Sequence, residues 1–180
     1  GRFMLGLGTS GPQVIEGFHG VVFDHPIQRT RETIEIVKNV LSGERVAYQG
    51  QEYQLPVREG QGRSIRAQGA PMPDIPIYIA SLGPRNLRLT GELADGWKGT
   101  SFMPEHAGIF LDEIEKGAKK AGRSLSDVDI QVGGTVYFTD ETNGITTYGA
   151  GRYAAVSRPH GGTYILDFND SYSPYCAYNE

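Results

Sequence analysis

The sequence has one cysteine, Cys176, among its 180 residues. A single thiol forms no internal disulfide and supplies no thiolate cluster for a metal ion, which excludes a disulfide scaffold and a zinc ribbon. Basic residues are also in deficit, because 17 Lys and Arg stand against 21 Asp and Glu for a formal net charge of −4. The chain therefore lacks the positive footprint typical of nucleic-acid binding.

Long apolar runs are missing as well. No segment approaches the roughly 20 apolar residues that cross a bilayer, and no signal-peptide pattern opens the chain. We therefore expect a cytoplasmic protein without a membrane or nucleic-acid partner. The chain starts at Gly1 inside a strand-like segment, without an initiator Met, so we also expect that sequence is missing upstream.

Glycine, in contrast, is abundant, with 25 residues that indicate many tight turns. Short apolar segments alternate with segments of helical periodicity. The predicted strands are 2–8, 75–80, 95–100 and 128–139, and the predicted helices are 13–20, 26–41, 85–94 and 104–121. A small hairpin is predicted over 45–55 and a long surface loop over 56–73. This strand–helix alternation is typical of βα units and predicts an α/β fold with a parallel sheet.

The last part of the chain has a different character. Residues 142–180 lack helical periodicity and are rich in aromatics, and the segments around 151–156 and 163–168 predict an antiparallel hairpin. We therefore expect a βα domain over 1–141 and a β-rich tail over 142–180.

Two of the predicted strands end in similar turns, Gly8-Thr9-Ser10-Gly11-Pro12 and Ala80-Ser81-Leu82-Gly83-Pro84. Each turn offers a hydroxyl, a glycine and the backbone N–H groups of a helix start, which together suit an anion. The same residues also suit ordinary strand-to-helix turns, and the pattern alone does not separate the two interpretations.

Three ordered motifs give a resemblance that favours the anion site. Gly-Arg-Phe-Met-Leu-Gly-Leu-Gly-Thr-Ser-Gly-Pro-Gln, Asp-Ile-Pro-Ile-Tyr-Ile-Ala-Ser-Leu-Gly-Pro-Arg-Asn and Leu-Ala-Asp-Gly-Trp resemble the bacterial luciferase-like oxidoreductases, most of all their deazaflavin-dependent branch. The resemblance covers 1–141 and implies a barrel that binds an 8-hydroxy-5-deazaflavin coenzyme (F-420 type) or, alternatively, FMN. The cofactor contacts that it implies are Thr9, Ser10, Gly11, Leu82, Gly83, Pro84, Asn86 and Thr100, with the group from Leu82 to Asn86 near the phosphate.

A complete barrel of this kind has eight strands and about 250 residues. Four predicted strands therefore indicate a partial (β/α)8 TIM barrel with a short β-hairpin segment after it. The implied function is hydride transfer on a small-molecule substrate, in a fragment with impaired activity. Open sheet edges favour pairing between copies, so the alternative is a non-enzymatic β/α scaffold or an assembly module.

Few other residues indicate chemistry. His19 and His25 are candidate proton donors near the first turn, although isolated histidines more commonly serve packing or surface roles. No His, Asp and Glu cluster has the spacing of a metal site. Residues 146–180 resemble the end of an uncharacterised bacterial β-rich domain family, in which Cys176 is expected to be a structural thiol rather than a nucleophile. No catalytic side chain is therefore named from the sequence.

Overall fold

The computed structural model describes residues 3–100, 102, 106–132, 135–138, 141, 145, 152–157 and 165–166. The chain divides into two compact units. One comprises Gly1–Gly99 and Glu105–Gln131, and the other comprises Thr100–Pro104 and Val132–Glu180. The boundary expected between residues 141 and 142 stays a prediction.

The larger unit is built on a four-stranded sheet. Its strands are β1 (Leu5–Gly8), β4 (Ile77–Ala80), β5 (Gly96–Gly99) and β6 (Asp129–Val132), in the order β1-β4-β5-β6. β1 is parallel to β4, and β4 is parallel to β5. The α/β fold with a parallel sheet predicted from the sequence is therefore confirmed.

Four helices accompany these strands in the described part of the chain: α1 (Pro12–His19), α2 (Pro26–Leu41), α3 (Pro84–Leu93) and α4 (Ala107–Lys120). The first three begin at a proline, because its fixed φ and missing N–H suit the first helical turn. Gly20, Gly43 and Gly122 lie just past three helix ends with φ of 64°, 79° and 71°. Glycine adopts this left-handed conformation without steric cost. Among the described helices, none has the length and apolar character that crossing a membrane requires.

The hydrophobic core lies between the sheet and α2. Ile34 of α2 packs with Ile77 and Ile79 of β4, and all three are at most 1% exposed. Leu5 and Leu7 of β1 join this cluster, since they are the register partners of Ile77 and Ile79. Each such aliphatic side chain contributes roughly 1.5–3 kcal/mol when fully buried. The side chains on one face of β1 and β4 therefore pack against a helix. The residues between them in each strand point to the opposite face of the sheet.

Helices α3 and α4 approach each other closely at two glycines. A Cβ on Gly91 would overlap the carbonyl oxygen of Ile114, and one on Gly117 would overlap the carbonyl oxygen of Arg88. The two backbones therefore touch at this crossing, and only glycine fits at either position.

The predicted hairpin is present as β2 (Tyr48–Gln49) and β3 (Gln54–Leu55), which pair antiparallel. The fully buried carboxylate of Glu32 on α2 holds its turn. Glu32 Oε1 accepts the Gln51 N–H at 2.7 Å, and Glu32 Oε2 accepts the Tyr53 N–H at 2.8 Å. The hairpin is thus pinned to α2 by hydrogen bonds to a charged group.

The second unit contains a three-stranded sheet in the order β7-β8-β9, with β7 (Thr135–Phe138), β8 (Arg152–Ser157) and β9 (Ile165–Leu166). The β8–β9 pairing is antiparallel, as predicted for the hairpin in the tail. The single strand predicted over 128–139 is wrong, because its second half is β7, which pairs antiparallel with β8. The sequence has two adjacent glycines, at 133 and 134, between the two halves, and glycine weakens a strand interior.

Candidate functional site

The carboxyl ends of β1 and β4 lie side by side. Gly8, the last residue of β1, is the register partner of Ala80, the last residue of β4. The two glycine turns therefore leave the sheet at the same edge. In parallel α/β folds, ligands bind at this edge. The structure thus brings together the two turns that the sequence indicated as candidate anion sites.

The first turn carries Thr9, Ser10 and Gly11 from β1 to α1. Gly11 is the N-cap of α1, and no side chain caps the helix. Ser10 is exposed and has a φ of 54°, a left-handed conformation that costs a non-glycine residue about 1–2 kcal/mol. Thr9 Oγ1 lies 3.4 Å from the Ser10 carbonyl oxygen. The N–H groups that begin α1 are therefore not occupied by a capping side chain.

The second turn, from Ser81 to Pro84, joins β4 to α3. Leu82, Gly83 and Pro84 are exposed, and Gly83 is the N-cap of α3 without a side-chain cap. The Ser81 hydroxyl is not available to a ligand in the way the sequence pattern indicated. It is buried and hydrogen-bonded to Thr90 Oγ1 at 2.8 Å. The groups that this turn offers to an anion are thus backbone N–H groups rather than a serine hydroxyl.

Asn86, in the first turn of α3, has an unsatisfied polar atom. The residue is 6% exposed, and its Oδ1 has no hydrogen-bond partner among the described residues. Buried polar groups in native proteins nearly always have a partner. A Cβ added to the nearby Gly83 would meet nothing within 4 Å. The helix start therefore offers open space and unoccupied N–H groups, which fit a phosphate, and Asn86 Oδ1, an acceptor that fits a hydroxyl or N–H donor of a ligand rather than its phosphate.

The third strand end carries Thr100, which directly follows Gly99 of β5 and is exposed. Thr100 belongs to the second compact unit, whereas the two turns belong to the first. Its predicted cofactor contact stays a prediction.

Lys98 of β5 is a residue that the sequence reasoning missed. Trp97 pairs with Ile79 and is fully buried, so strand alternation places Lys98 on the opposite face of β5. That is the face of Gly8 and Ala80, and Lys98 is exposed on it. The available signal was the succession of an apolar Trp97 and a charged Lys98 in a short strand, and it places a cation one residue from the strand end.

The same face carries little side-chain bulk on β1. Gly6 and Gly8 both lie on it, and a Cβ on Gly6 would meet nothing within 4 Å. A Cβ on Gly8 would meet only Ala80, at 3.8 Å. Glycine permits a ligand to approach the backbone directly. A flat ring system could therefore lie against these strand ends.

Tyr78 occupies the base of this face. Its hydroxyl donates to Asp129 Oδ2 at 2.5 Å, and Gln131 Nε2 donates to the same oxygen at 3.0 Å. The hydrogen bond to Asp129 and burial together raise the pKa of Tyr78, while the same hydrogen bond lowers the pKa of Asp129. Tyr78 is therefore a neutral phenol at neutral pH, and its hydrogen bond to Asp129 links β4 to β6.

The two histidines lie at helix ends. His19 is the last residue of α1, and His25 is the N-cap of α2. His25 Nδ1 lies 2.7 Å from Glu52 Oε1, so this imidazole is paired with a carboxylate. Within the described residues, no group of three His, Cys, Asp or Glu is arranged to hold a metal ion.

A cavity of about 320 Å³ adjoins the first turn. It lies among β1, α1 and α2, and its apolar walls include Leu7, Ile15 and Phe23. Because Leu7 packs with the core cluster, this cavity is on the helix-facing side of β1. Gly8 and Thr9 also line it, so the cavity reaches the strand end and the first turn.

Comparison with known proteins gives consistent results. The family model described as luciferase-like monooxygenase matches residues 1–147. A protein of Mycobacterium tuberculosis named as a coenzyme F420-dependent oxidoreductase is 38% identical over 149 residues, which cover 78% of this chain and 43% of that protein. The 5,10-methylenetetrahydromethanopterin reductase of Methanolobus tindarius is 34% identical over 130 residues, which cover 72% of this chain and 37% of that protein.

A solved structure shows the same fold. The coenzyme F420-dependent tetrahydromethanopterin reductase from Methanopyrus kandleri matches with a TM-score of 0.59 and 27% identity, over 73% of this chain and 40% of that one. This match confirms the partial (β/α)8 barrel predicted from the sequence. The chain spans about two fifths of the length of these relatives.

Proposed function

The chain belongs to the luciferase-like monooxygenase family, and on that premise we propose that it is part of an oxidoreductase that transfers hydride with a deazaflavin coenzyme of the F420 type. One observation carries this proposal. The register of Gly8 with Ala80 sets the first turn beside the start of α3, where Gly83 has open space above it. This arrangement suits a phosphate at the edge of the sheet.

The choice of deazaflavin over FMN rests on relatives. The Mycobacterium protein and the solved Methanopyrus reductase carry coenzyme F420 in their names. Both cofactors present a phosphate to the same turns, so the turns alone do not discriminate between them. FMN therefore remains the alternative cofactor.

We assign the binding roles by position. The N–H groups at the start of α3 hold the phosphate, with Gly83 and Pro84 shaping the turn, Leu82 beside it and Asn86 behind it. Thr9, Ser10 and Gly11 contact the cofactor from the turn that follows β1, and the cofactor contact of Thr100, which follows β5, stays a prediction from the sequence. When bound, the deazaflavin supplies the hydride-transfer chemistry.

The chain's own residues mainly position the cofactor and shield it. The bare backbone at Gly6 and Gly8 lets a ring approach β1 closely, and the exposed Lys98 supplies a positive charge on the same face. The substrate is a small molecule of unassigned class, and the enzyme is a cytoplasmic one.

A second candidate function is an assembly module that pairs through an open sheet edge. β1 is an edge strand of the described sheet, and Phe3 and Met4 just before it are 63% and 47% exposed. An unpaired edge with exposed apolar residues favours association with another strand. The predicted homo-oligomer would use this edge.

A titration separates the two candidates. Purified protein is titrated with deazaflavin coenzyme and with FMN, followed by cofactor fluorescence, while sedimentation reports the oligomeric state. Micromolar binding of the deazaflavin supports the oxidoreductase. Association without binding of either cofactor would instead favour the assembly module.

A further inference from the structure

Ser81 directly precedes the exposed turn at 82–84, and the fold holds it from two sides. The Trp97 indole of β5 donates to the Ser81 carbonyl oxygen at 2.9 Å, and the Ser81 hydroxyl lies 2.8 Å from Thr90 Oγ1 of α3. Ser81, Thr90 and Trp97 are each at most 2% exposed. The carbonyl and hydroxyl of Ser81 are therefore both satisfied inside the protein, next to the backbone that we assign to a phosphate.

The direction of these hydrogen bonds follows from the number of protons. Thr90 Oγ1 also lies 2.9 Å from the Asn86 carbonyl oxygen, which can only accept. Since the one hydroxyl proton of Thr90 is donated to Asn86, Ser81 must donate to Thr90. The hydrogen bonds thus run from Ser81, just after β4, through Thr90 to the first turn of α3. They tie the strand end to the helix on both sides of Gly83.

The groups that this hydrogen-bond chain fixes are the donors at the helix start. The first hydrogen bond of α3 runs from the Leu87 N–H to the Gly83 carbonyl oxygen at 2.9 Å. The N–H groups of Arg85 and Asn86 therefore have no acceptor within the helix. Because the Thr90 hydrogen bond ends on Asn86 itself, it sets the position of these donors without touching a ligand.

The first turn is held differently in the described part of the chain. Thr9 Oγ1 lies 3.4 Å from the carbonyl oxygen of the neighbouring Ser10, which is a contact within the turn, and Ser10 is exposed. Two turns that look alike in sequence therefore differ in structure, since the second is anchored to β5 and to the body of α3. Donors that are held in place before binding lose less conformational entropy when a ligand arrives.

We propose that Thr90 is a positioning residue for a phosphate at the start of α3, and that it acts through the hydroxyl of Ser81. This inference rests on the proposed function for the phosphate, and it adds that the donors of the site are fixed before the ligand binds. The Ser81 hydroxyl, which the sequence pattern offered to an anion, thus serves the site indirectly.

The test breaks the hydrogen bond between Ser81 and Thr90 from each end. Ser81→Ala removes the donor, Thr90→Val removes the acceptor at nearly constant side-chain volume, and Thr90→Ser retains the hydroxyl. A double variant combines Ser81→Ala with Thr90→Val. Thr33→Val is the matched control, because Thr33 of α2 makes the same hydrogen bond within its own helix, to the Arg29 carbonyl oxygen at 2.7 Å.

Each variant is titrated with three probes: the deazaflavin coenzyme, its phosphate-free analogue and inorganic phosphate. Fluorescence gives the affinities for the first two. The backbone amide resonances of Gly83, Arg85 and Asn86 give the affinity for inorganic phosphate. The order parameters of the same amides in the ligand-free protein report the rigidity of the turn on the ps–ns timescale.

Ser81→Ala and Thr90→Val should each weaken the coenzyme and inorganic phosphate at least about fivefold and lower the order parameters of the turn. Their effects should not add in the double variant, because both substitutions remove the same hydrogen bond. Thr90→Ser should restore both affinities to within about twofold of wild type, and Thr33→Val should stay in that range. The phosphate-free analogue should bind all variants alike.

Unchanged affinities for the coenzyme and inorganic phosphate in Ser81→Ala and Thr90→Val would overturn the inference. Equal losses for the coenzyme and its phosphate-free analogue would also overturn it, because a general structural defect is not confined to the phosphate. If Thr90→Val does not fold, Ser81→Ala carries the same test, since it leaves the hydrogen bond from Thr90 to Asn86 in place.

The outcomes also separate this inference from the proposed function. Phosphate binding at Gly83 that depends on Ser81 and Thr90, in a protein that binds no coenzyme, would support the positioning role and refute the proposed function. Coenzyme binding that is independent of both hydroxyls would do the reverse. A wild-type protein that binds neither inorganic phosphate nor the coenzyme would refute both.

Discussion

Tyr53 donates its backbone N–H to Glu32 Oε2 at 2.8 Å, across 21 positions of sequence. This contact joins the β2–β3 hairpin to α2. The Glu32 carboxylate that accepts this hydrogen bond has no exposed surface, so the stability of the hairpin depends on the ionisation of a single side chain.

Glu32→Gln should destabilise the protein by about 2–3 kcal/mol, because an amide replaces a charged acceptor of several backbone N–H groups. Urea unfolding measures the loss. Glu115→Gln is the control, since Glu115 is 43% exposed and pairs only with Lys119 on the same helix. Its effect should stay below about 0.5 kcal/mol. Equal losses in the two variants would show that Glu32 does not hold the hairpin.

The same carboxylate gives a pH dependence. Burial favours the neutral acid, but hydrogen bonds from Gln28 and from the N–H groups of Tyr53, Gln51 and Glu52 outweigh it and hold the pKa of Glu32 below its usual 4.5. A lowered pKa in the folded state adds stability that is complete above pH 4.5 and is lost as the pH falls through the lowered value. The stability difference between wild type and Glu32→Gln should therefore shrink below pH 4.5. A difference that stays constant down to pH 3 would contradict this.

Gly91→Ala should destabilise the protein by more than about 2 kcal/mol, although alanine favours helix by roughly 1 kcal/mol. The added Cβ would overlap the backbone of α4 and force the two helices apart. Gly17→Ala in α1 is the matched control, because a Cβ there meets nothing within 4 Å. Thermal unfolding should show Gly17→Ala as neutral or stabilised. A stabilised Gly91→Ala would mean that the helix crossing is looser than described.

Asn86→Ala should weaken cofactor binding and leave the stability of the fold almost unchanged. Since Asn86 Oδ1 has no described partner, removing the amide should change the free energy of unfolding by less than about 1 kcal/mol. Loss of a hydrogen bond to the ligand should weaken the deazaflavin about tenfold. Calorimetric titration and urea unfolding of one preparation measure both quantities. A large stability loss with unchanged affinity would make Asn86 a packing residue.

The parts of the site that the sequence predicted are local ones. Proline at a helix start and glycine at a strand end act within a few residues, so the turns at Gly11 and Gly83 were placed correctly. The register of Gly8 with Ala80 depends on the sheet, and no local pattern contains it.

The parts that sequence reasoning missed depend on distant partners. Ser81 looked available in the turn, but Thr90 one helix away takes its hydroxyl. The strand expected over 128–139 ends early because its second half pairs with β8.

The most direct test of the phosphate site is Gly83→Asp, compared with Gly83→Asn. Gly83 has a φ of −76°, which any residue adopts, and open space for a Cβ. Aspartate is a favoured N-cap, so both variants should be at least as stable as wild type. The added negative charge should nevertheless weaken deazaflavin binding at least about tenfold, and Gly83→Asn should weaken it less, because its neutral amide competes for the same N–H groups without repelling the phosphate. Equal coenzyme affinity in wild type, Gly83→Asp and Gly83→Asn would contradict a phosphate at the start of α3.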